Sequence, residues 1–472
     1  MVYKHHQASY SLGEKELSPE ERIVVSTRHG PEEPSRIADH LGLDSDQPKK
    51  IIDHRIWMDG EYLPTFTTKR CLTSNDFERY LGNYKNSDGS LKWGEGLKGR
   101  TVYIAHTFSN QFDIQASDKM TEFIAWTAKY NGAENVVLLA YTLAHSCQER
   151  GVHHPHPRME KPGAKEKFDG QAPLSQLQLM QYATAGIDKI ITLHNHCPNE
   201  TQALCQGVNE ELELMTRRSK EINSTLRYHL DFHDVDLSPV VGLLVSDYGE
   251  KNLEFDLSDN GKNILFMGPD VNAGEFVKRV REHSGLTNSA FAKMDKVRGL
   301  DGSNVDTLVL KDSYNLNETD GIEGKDIIIL DDVIRSGGTM RINTEALMGM
   351  KVEGIVRDPK IKGTPNKVVV YATRTNFAGG SIDVLSSPAI DDLIITNADP
   401  RGPKKMGTLR HKSQKIWVNF IMAEAAKAVE RGKTPNSILT PDYIKENNLL
   451  KVDIPHGHDR LRRHKNKKKG II

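Results

Sequence analysis

The chain has 472 residues, enough for roughly two or three domains, and its 63 Lys+Arg nearly cancel its 64 Asp+Glu. That balance excludes a protein whose whole surface is a nucleic-acid footprint. No apolar run is long enough to span a membrane. Cys71, Cys147, Cys197 and Cys205 fall at neither metal-ligand nor disulfide-framework spacing. The first residues lack the apolar region of a signal peptide, so the expected setting is the reducing cytoplasm.

In chain order, residues 1–50 are polar and weakly periodic, and read as an extension or partner-binding arm. Residues 51–66 have strand character interrupted at Asp59-Gly60-Glu61. A short buried strand at 101–105 precedes a polar loop over 106–118 and a helix over 119–131. Strand 135–140, helix 174–185 and strand 189–193 follow, an alternation that means βαβ units. The pattern then repeats. Residues 253–255, 263–267, 307–310, 327–330, 368–372 and 393–396 read as strands, with helices after Gly274, after Thr339 and after Pro388. Two successive α/β halves are expected, divided near 210–240, with the boundaries set at 51–212 and 213–432. A helix over 416–431 ends at Gly432. The extension 433–472 ends in a basic tail running from Arg460 to Lys469. Such a run reads as a solvated end, with RNA or another polyanion as the minority reading.

The densest chemistry lies at 325–340. Ile327-Ile328-Ile329-Leu330 reads as a strand buried on both faces of a parallel sheet, with Asp331 and Asp332 standing where it ends. The turn Arg335-Ser336-Gly337-Gly338-Thr339 then opens a helix. Glycines allow close backbone approach, two hydroxyls donate, and the helix N-terminus offers unpaired N–H groups to an anion. Carboxylates suit vicinal hydroxyls, so the pattern points to a ribose 5-phosphate group, its diol on the acids and its phosphate on the loop. Strand 189–193 ends in His194-Asn195-His196, and strand 263–267 ends in Gly268-Pro269-Asp270. Both are carboxyl ends, where open α/β sheets bind ligands. A carboxylate with few protein ligands suits Mg²⁺, which keeps water and leans on substrate phosphates. The His153-His154-Pro155-His156 cluster, interrupted by proline, reads as solvated loop.

Taken together these stretches resemble the ribose-phosphate diphosphokinase (PRPP synthetase) family over most of 51–432 and in the same order. Trp57-Met58-Asp59-Gly60-Glu61 is similar to its adenine-contacting Phe-x-Asp-Gly-Glu loop, and Gln148-Glu149-Arg150 to its nucleotide loop. Lys98-Gly99-Arg100 resembles its strand entry, and Pro173-Leu174-Ser175 its helix start. Thr192 to His196 is similar to the strand end that places the magnesium histidine at His196. Pro269-Asp270 with Ala273-Gly274 resembles its Pro-Asp-x-Gly-Gly segment, and Lys296-Val297-Arg298 its flexible catalytic loop. The resemblance implies two tandem type I phosphoribosyltransferase-like domains, each a mainly parallel sheet flanked by helices. It also implies ATP and ribose 5-phosphate as substrates, Mg²⁺ on His196 and Asp270, and catalysis by Lys296 and Arg298. Trp57, Asp59, Glu61, Gln148, Glu149 and Arg150 would bind the nucleotide. The family's adenine loop comes from a neighbouring subunit, which implies a homo-oligomer.

Cys147, His194 and Arg335 depart from the family pattern, the last reversing a charge beside the bound phosphate. Three alternatives therefore stand beside PRPP synthesis. They are the same chemistry on a larger ribose 5-phosphoryl acceptor such as ADP-ribose, a phosphoribosyltransferase, and a catalytically silent regulatory subunit.

Overall fold

A computed structural model describes residues 16–27, 33–56, 61–66, 97–107, 114–145, 174–220, 228–270, 273–298, 306–316, 321–399 and 406–454. They fall into two compact units, one within Met1–Val235 and Asn419–Ile438, the other within Asp236–Val418 and Leu439–Ile472.

The first unit begins with β1 (Arg22–Ser26) and an antiparallel hairpin, β2 (Ile52–Ile56) and β3 (Tyr62–Phe66). Then come β4 (Thr101–Thr107), β5 (Asn135–Thr142), β6 (Lys189–Leu193) and β7 (Asp231–Val235). Among the described residues its main sheet has the order β1-β4-β5-β6-β7, parallel throughout. Parallel neighbours need crossovers, supplied here by the helices Ile114–Tyr130, Leu174–Thr184 and Pro198–Lys220. The inner residues of β4 and β5 (Val102, Ile104, Val136 and Leu138) are fully buried, as strands covered on both faces require.

Residues 22–27 and 33–50 are not the extension expected from the sequence. Ile23, Val24 and Val25 are fully buried in β1, and Gln47 accepts the Val24 N–H through its side chain at 3.0 Å. A buried ion pair ties β1 to the helix Asn419–Glu430. Arg22 donates from Nε to Glu430 Oε1 at 2.9 Å and from Nη2 to Oε2 at 2.6 Å, while Nη1 reaches the Leu41 carbonyl at 3.2 Å. Only three consecutive apolar residues mark β1, too short a run to stand out against the polar sequence around it. The expected boundary at 212 falls within the helix Pro198–Lys220, where Leu212 is fully buried in the first unit's core.

The second unit contains β8 (Ile264–Gly268), β9 (Ala290–Arg298), β10 (Asp306–Tyr314), β11 (Asp326–Ile334) and β12 (Ile355–Arg357). It continues with β13 (Lys367–Thr375), β14 (Asp392–Thr396), β15 (Ser413–Trp417) and β16 (Lys451–Asp453). The order is β12-β10-β9-β8-β11-β13-β14-β15-β16, with β9–β10 and β15–β16 antiparallel and the other pairs parallel. Three expectations change here. Residues 253–255 end a π-type turn over Gly249–Leu253, and Glu254 is left-handed, so no strand forms. The helix expected after Pro388 lies before it, at Ser381–Leu385. Ile416 and Trp417 belong to β15, so the helix expected from 416 starts at Asn419.

Candidate active site

Strand order in the second unit reverses at β8. The chain leaves β8 for β9 on one side, then returns to place β11 on the other. A crevice opens beyond the carboxyl ends of strands at such a switch point. β8 and β11 pair from Asp326↔Ile264 to Ile329↔Met267, whereas β11 continues along β13 to Ile334↔Thr375. Asp331 and Asp332 therefore emerge where β8 has stopped and β13 has not. Ile327 to Leu330 are fully buried just before them, so the two carboxylates are rigidly based.

The acids are not equivalent. Asp332 Oδ2 accepts from Arg374 Nη2 at 2.6 Å, and the Asp332 N–H donates to Asp331 Oδ1 at 2.9 Å. Asp331 is pushed well above the usual carboxylate range, mainly by burial, then by the Asp332 carboxylate and the Asp270 charge. Asp270 thus belongs to the same acidic end of the sheet. It is exposed, and its Oδ1 accepts the Ala273 N–H at 3.1 Å at the turn leading to the helix Gly274–Ser284. Asn343 is fully buried and donates from Nδ2 to the Pro269 carbonyl at 3.0 Å, fixing this turn against the helix that follows the glycine loop.

That helix spans Gly338–Leu347. Gly337 precedes it at φ 78°, ψ −4°, a left-handed conformation, and a Cβ there would lie 2.9 Å from Leu385 Cγ. Only glycine satisfies both demands. The first-turn N–H groups of any helix point outward without intrahelical partners. The exposed Arg335, Ser336 and Thr339 stand at this helix start. The Ala378 N–H donates to the Arg335 carbonyl at 2.9 Å, which docks the loop after β13 against this one. Two carboxylates and a glycine loop thus lie at successive positions of one strand-to-helix turn.

Lys296 and Arg298 lie in β9, where the backbone register pairs them with Leu308 and Asp306 of β10. The backbone there is strand, not the expected loop, because Ala290, Ala292 and Met294 alternate into the core with period two. His196 follows β6 in the first unit. Its N–H donates to Asn195 Oδ1 at 3.0 Å, and the Asn195 N–H donates to Asp234 Oδ1 at 2.8 Å. The preceding His194 is buried and left-handed at φ 45°, a strained conformation for a non-glycine residue. Glu61 is exposed at the start of the hairpin strand β3. Trp57, Asp59, Gln148, Glu149 and Arg150 lie outside the described residues, as do Cys147, the 153–156 histidines and the basic tail. Among the described residues, no group of three or more His, Cys, Asp or Glu could hold a metal ion. The oxygen donors at Asp270 still fit Mg²⁺, which takes one or two carboxylates and completes its shell with water and phosphate. Sequence reasoning missed Arg374. Its signal was a cation two residues beyond the apolar run 368–372.

The fold is that of two tandem type I phosphoribosyltransferase-like domains, each a mainly parallel sheet flanked by helices. In fold the chain resembles a phosphoribosylpyrophosphate synthetase from Mycobacterium smegmatis, with a TM-score of 0.55 and 13% identity over 87% of this chain and 99% of that one. It is 26% identical over 211 residues to a ribose-phosphate pyrophosphokinase of Shewanella oneidensis, covering 44% of this chain and 56% of that protein. A ribose-phosphate pyrophosphokinase of Helicobacter hepaticus matches over 372 residues at 20% identity, covering 78% of this chain and 93% of that protein. One from Pyrococcus furiosus is 32% identical over 142 residues, which is 30% of this chain and 42% of that protein. The chain thus spans about half the length of the Shewanella and Pyrococcus relatives. No protein-family model matches it. The chain is thus similar in sequence to ribose-phosphate pyrophosphokinases and in fold to a PRPP synthetase. Among the described residues, no helix is long and apolar enough to cross a membrane.

Proposed function

We propose that this protein transfers a diphosphoryl group from ATP to the anomeric hydroxyl of ribose 5-phosphate, giving PRPP and AMP. The observation that carries this reading is the set of residues at the switch point of the second unit's sheet. There Asp270, the pair Asp331 and Asp332, and the Ser-Gly-Gly-Thr turn come together in the order the family uses. Asp331 and Asp332 accept the ribose hydroxyls, and Ser336, Gly337, Gly338 and Thr339 hold the 5-phosphate. Asp270, and His196 on the nucleotide side, are proposed Mg²⁺ ligands, and the bound ion supplies charge neutralisation at the nucleotide phosphates. Trp57, Asp59, Glu61, Gln148, Glu149 and Arg150 are proposed for the nucleotide. Phosphoryl transfer depends on in-line positioning and neutralised charge rather than covalent catalysis. Lys296 and Arg298, at the end of the β9 arm, are the proposed cations that stabilise the transition state.

The relatives' names support the class of reaction, and the exposed Arg335 favours one second reading, an acceptor carrying an additional phosphate such as ADP-ribose. A homo-oligomer acting in the cytoplasm completes the proposal. The test is 31P NMR of the protein with ATP, Mg²⁺ and ribose 5-phosphate, run beside Asp270→Ala. Wild-type protein should accumulate PRPP and AMP together, and the variant should lose most of this turnover while keeping its thermal transition. Equal turnover in the two proteins would remove Asp270 from the site.

A further inference from the structure

Arg374 is a buried cation that the functional reading does not use. It stands on β13 opposite Val333 of β11, one residue beyond Asp332, and only 6% of it is exposed. Its Nη2 donates to Asp332 Oδ2 at 2.6 Å, and the Asp332 N–H in turn donates to Asp331 Oδ1 at 2.9 Å. The guanidinium thus holds the Asp332 carboxylate, and the Asp332 backbone N–H holds that of Asp331.

A plain structural staple is the rival explanation. β11 and β13 are already paired from Asp326↔Lys367 to Ile334↔Thr375, so holding these strands together needs no further link. Burying a guanidinium is costly unless it is paired in good geometry. Here its partner stands near the carboxyl end of β11, at the switch point of the sheet. Asp332 also stands beside Asp331, with Asp270 close enough to act on Asp331, and a cation on Asp332 offsets the negative charge gathered there.

We propose that Arg374 is a positioning residue for sugar binding. It clamps one oxygen of Asp332, so that the ribose hydroxyls meet the other oxygen and Asp331 in a fixed arrangement. This rests on ribose 5-phosphate binding at that acid pair. The planar fork matters as well as the charge, because an ammonium group cannot reproduce its direction.

The experiment measures ribose 5-phosphate binding by calorimetry without nucleotide, then KM and kcat, in wild type, Arg374→Lys and Arg374→Ala. Losing a charged hydrogen bond weakens binding by about ten- to a hundredfold. Arg374→Ala should lose that much affinity for ribose 5-phosphate, and Arg374→Lys should recover only part of it. The KM for ATP should stay within about twofold. Added guanidinium ion at millimolar concentration should restore sugar binding to Arg374→Ala, which a lost staple would not allow. Wild-type affinity in Arg374→Ala, or equal rises in both KM values, would overturn the proposal. If wild type binds ribose 5-phosphate but makes no PRPP, the proposed reaction fails while Arg374 is still tested by binding. If wild type does not bind the sugar phosphate, both fall.

Discussion

Gly337 is where local geometry and site chemistry meet most tightly, so Gly337→Ala should damage both. The left-handed conformation at φ 78° costs a non-glycine residue about 1–2 kcal/mol. The added methyl would lie 2.9 Å from Leu385 Cγ, 3.1 Å from its Cδ2 and 3.3 Å from Val384 Cγ1. Leu385 is fully buried, so it has little room to retreat, and overpacking of this kind adds about 1–3 kcal/mol. Together these give a loss of about 2–5 kcal/mol, measurable by urea unfolding. Gly338→Ala provides the control. Its Cβ would meet only Ser336 Oγ, at 3.7 Å, and Gly338 starts the helix without a positive φ. It should change stability by less than about 1 kcal/mol. The loop can relieve Gly337→Ala only by moving its outward N–H groups, so ribose 5-phosphate affinity should fall with stability. If Gly337→Ala unfolds within about 0.5 kcal/mol of wild type, the conformation and contact described for Gly337 are wrong.

Removing one member of the Arg22–Glu430 pair strands a buried charge, so Arg22→Met should cost about 3–5 kcal/mol in urea unfolding. A loss below about 1 kcal/mol would show that residues 22–26 do not belong to the first unit's core. Asp118 is pushed up to about 7, chiefly by burial and further by the Glu122 charge, against its hydrogen bond from Tyr182. The folded state therefore holds this proton more tightly than the unfolded state. Its stabilising effect is complete below about pH 4 and is lost as pH rises toward 7. Asp118→Asn should flatten that part of the stability profile and gain on wild type at pH 8, and parallel profiles would refute the shift. For Arg335→Asp, an acceptor with a second phosphate should lose about 1.5–3 kcal/mol of binding, ten- to more than a hundredfold in kcat/KM. Ribose 5-phosphate itself should be used as well as before or better, and an equal fall on both acceptors would mean that Arg335 only shapes the loop.

The two-unit α/β plan was legible because long apolar runs such as Ile327 to Leu330 leave no other buried element to form. The acid pair and glycine turn were legible for the same reason, since they follow that run directly. What escaped was structure whose burial is shared with polar partners. β1 hides its strand behind Arg22, whose charge is matched by Glu430, 408 residues away. β7, Asp-Phe-His-Asp-Val, buries Phe232 and Val235 alone, and β9 alternates its apolar residues with Lys293 and Asp295. Arg374 escaped because an arginine next to an apolar run looks like a strand terminator until its partner carboxylate is known. The helix expected after Pro388 instead ends at Leu385, which packs against Gly337, and β14 begins soon after, at Asp392.

The central claim is that the acid pair and glycine loop present ribose 5-phosphate to a nucleotide that loses two phosphates at once. ATP labelled at its β-phosphorus, incubated with Mg²⁺, ribose 5-phosphate and the protein, tests it most directly. The account predicts that the label leaves with the sugar as PRPP, in step with unlabelled AMP, and that this transfer fails in Asp331→Asn. Label found in ADP, in free diphosphate, or remaining in ATP would contradict it.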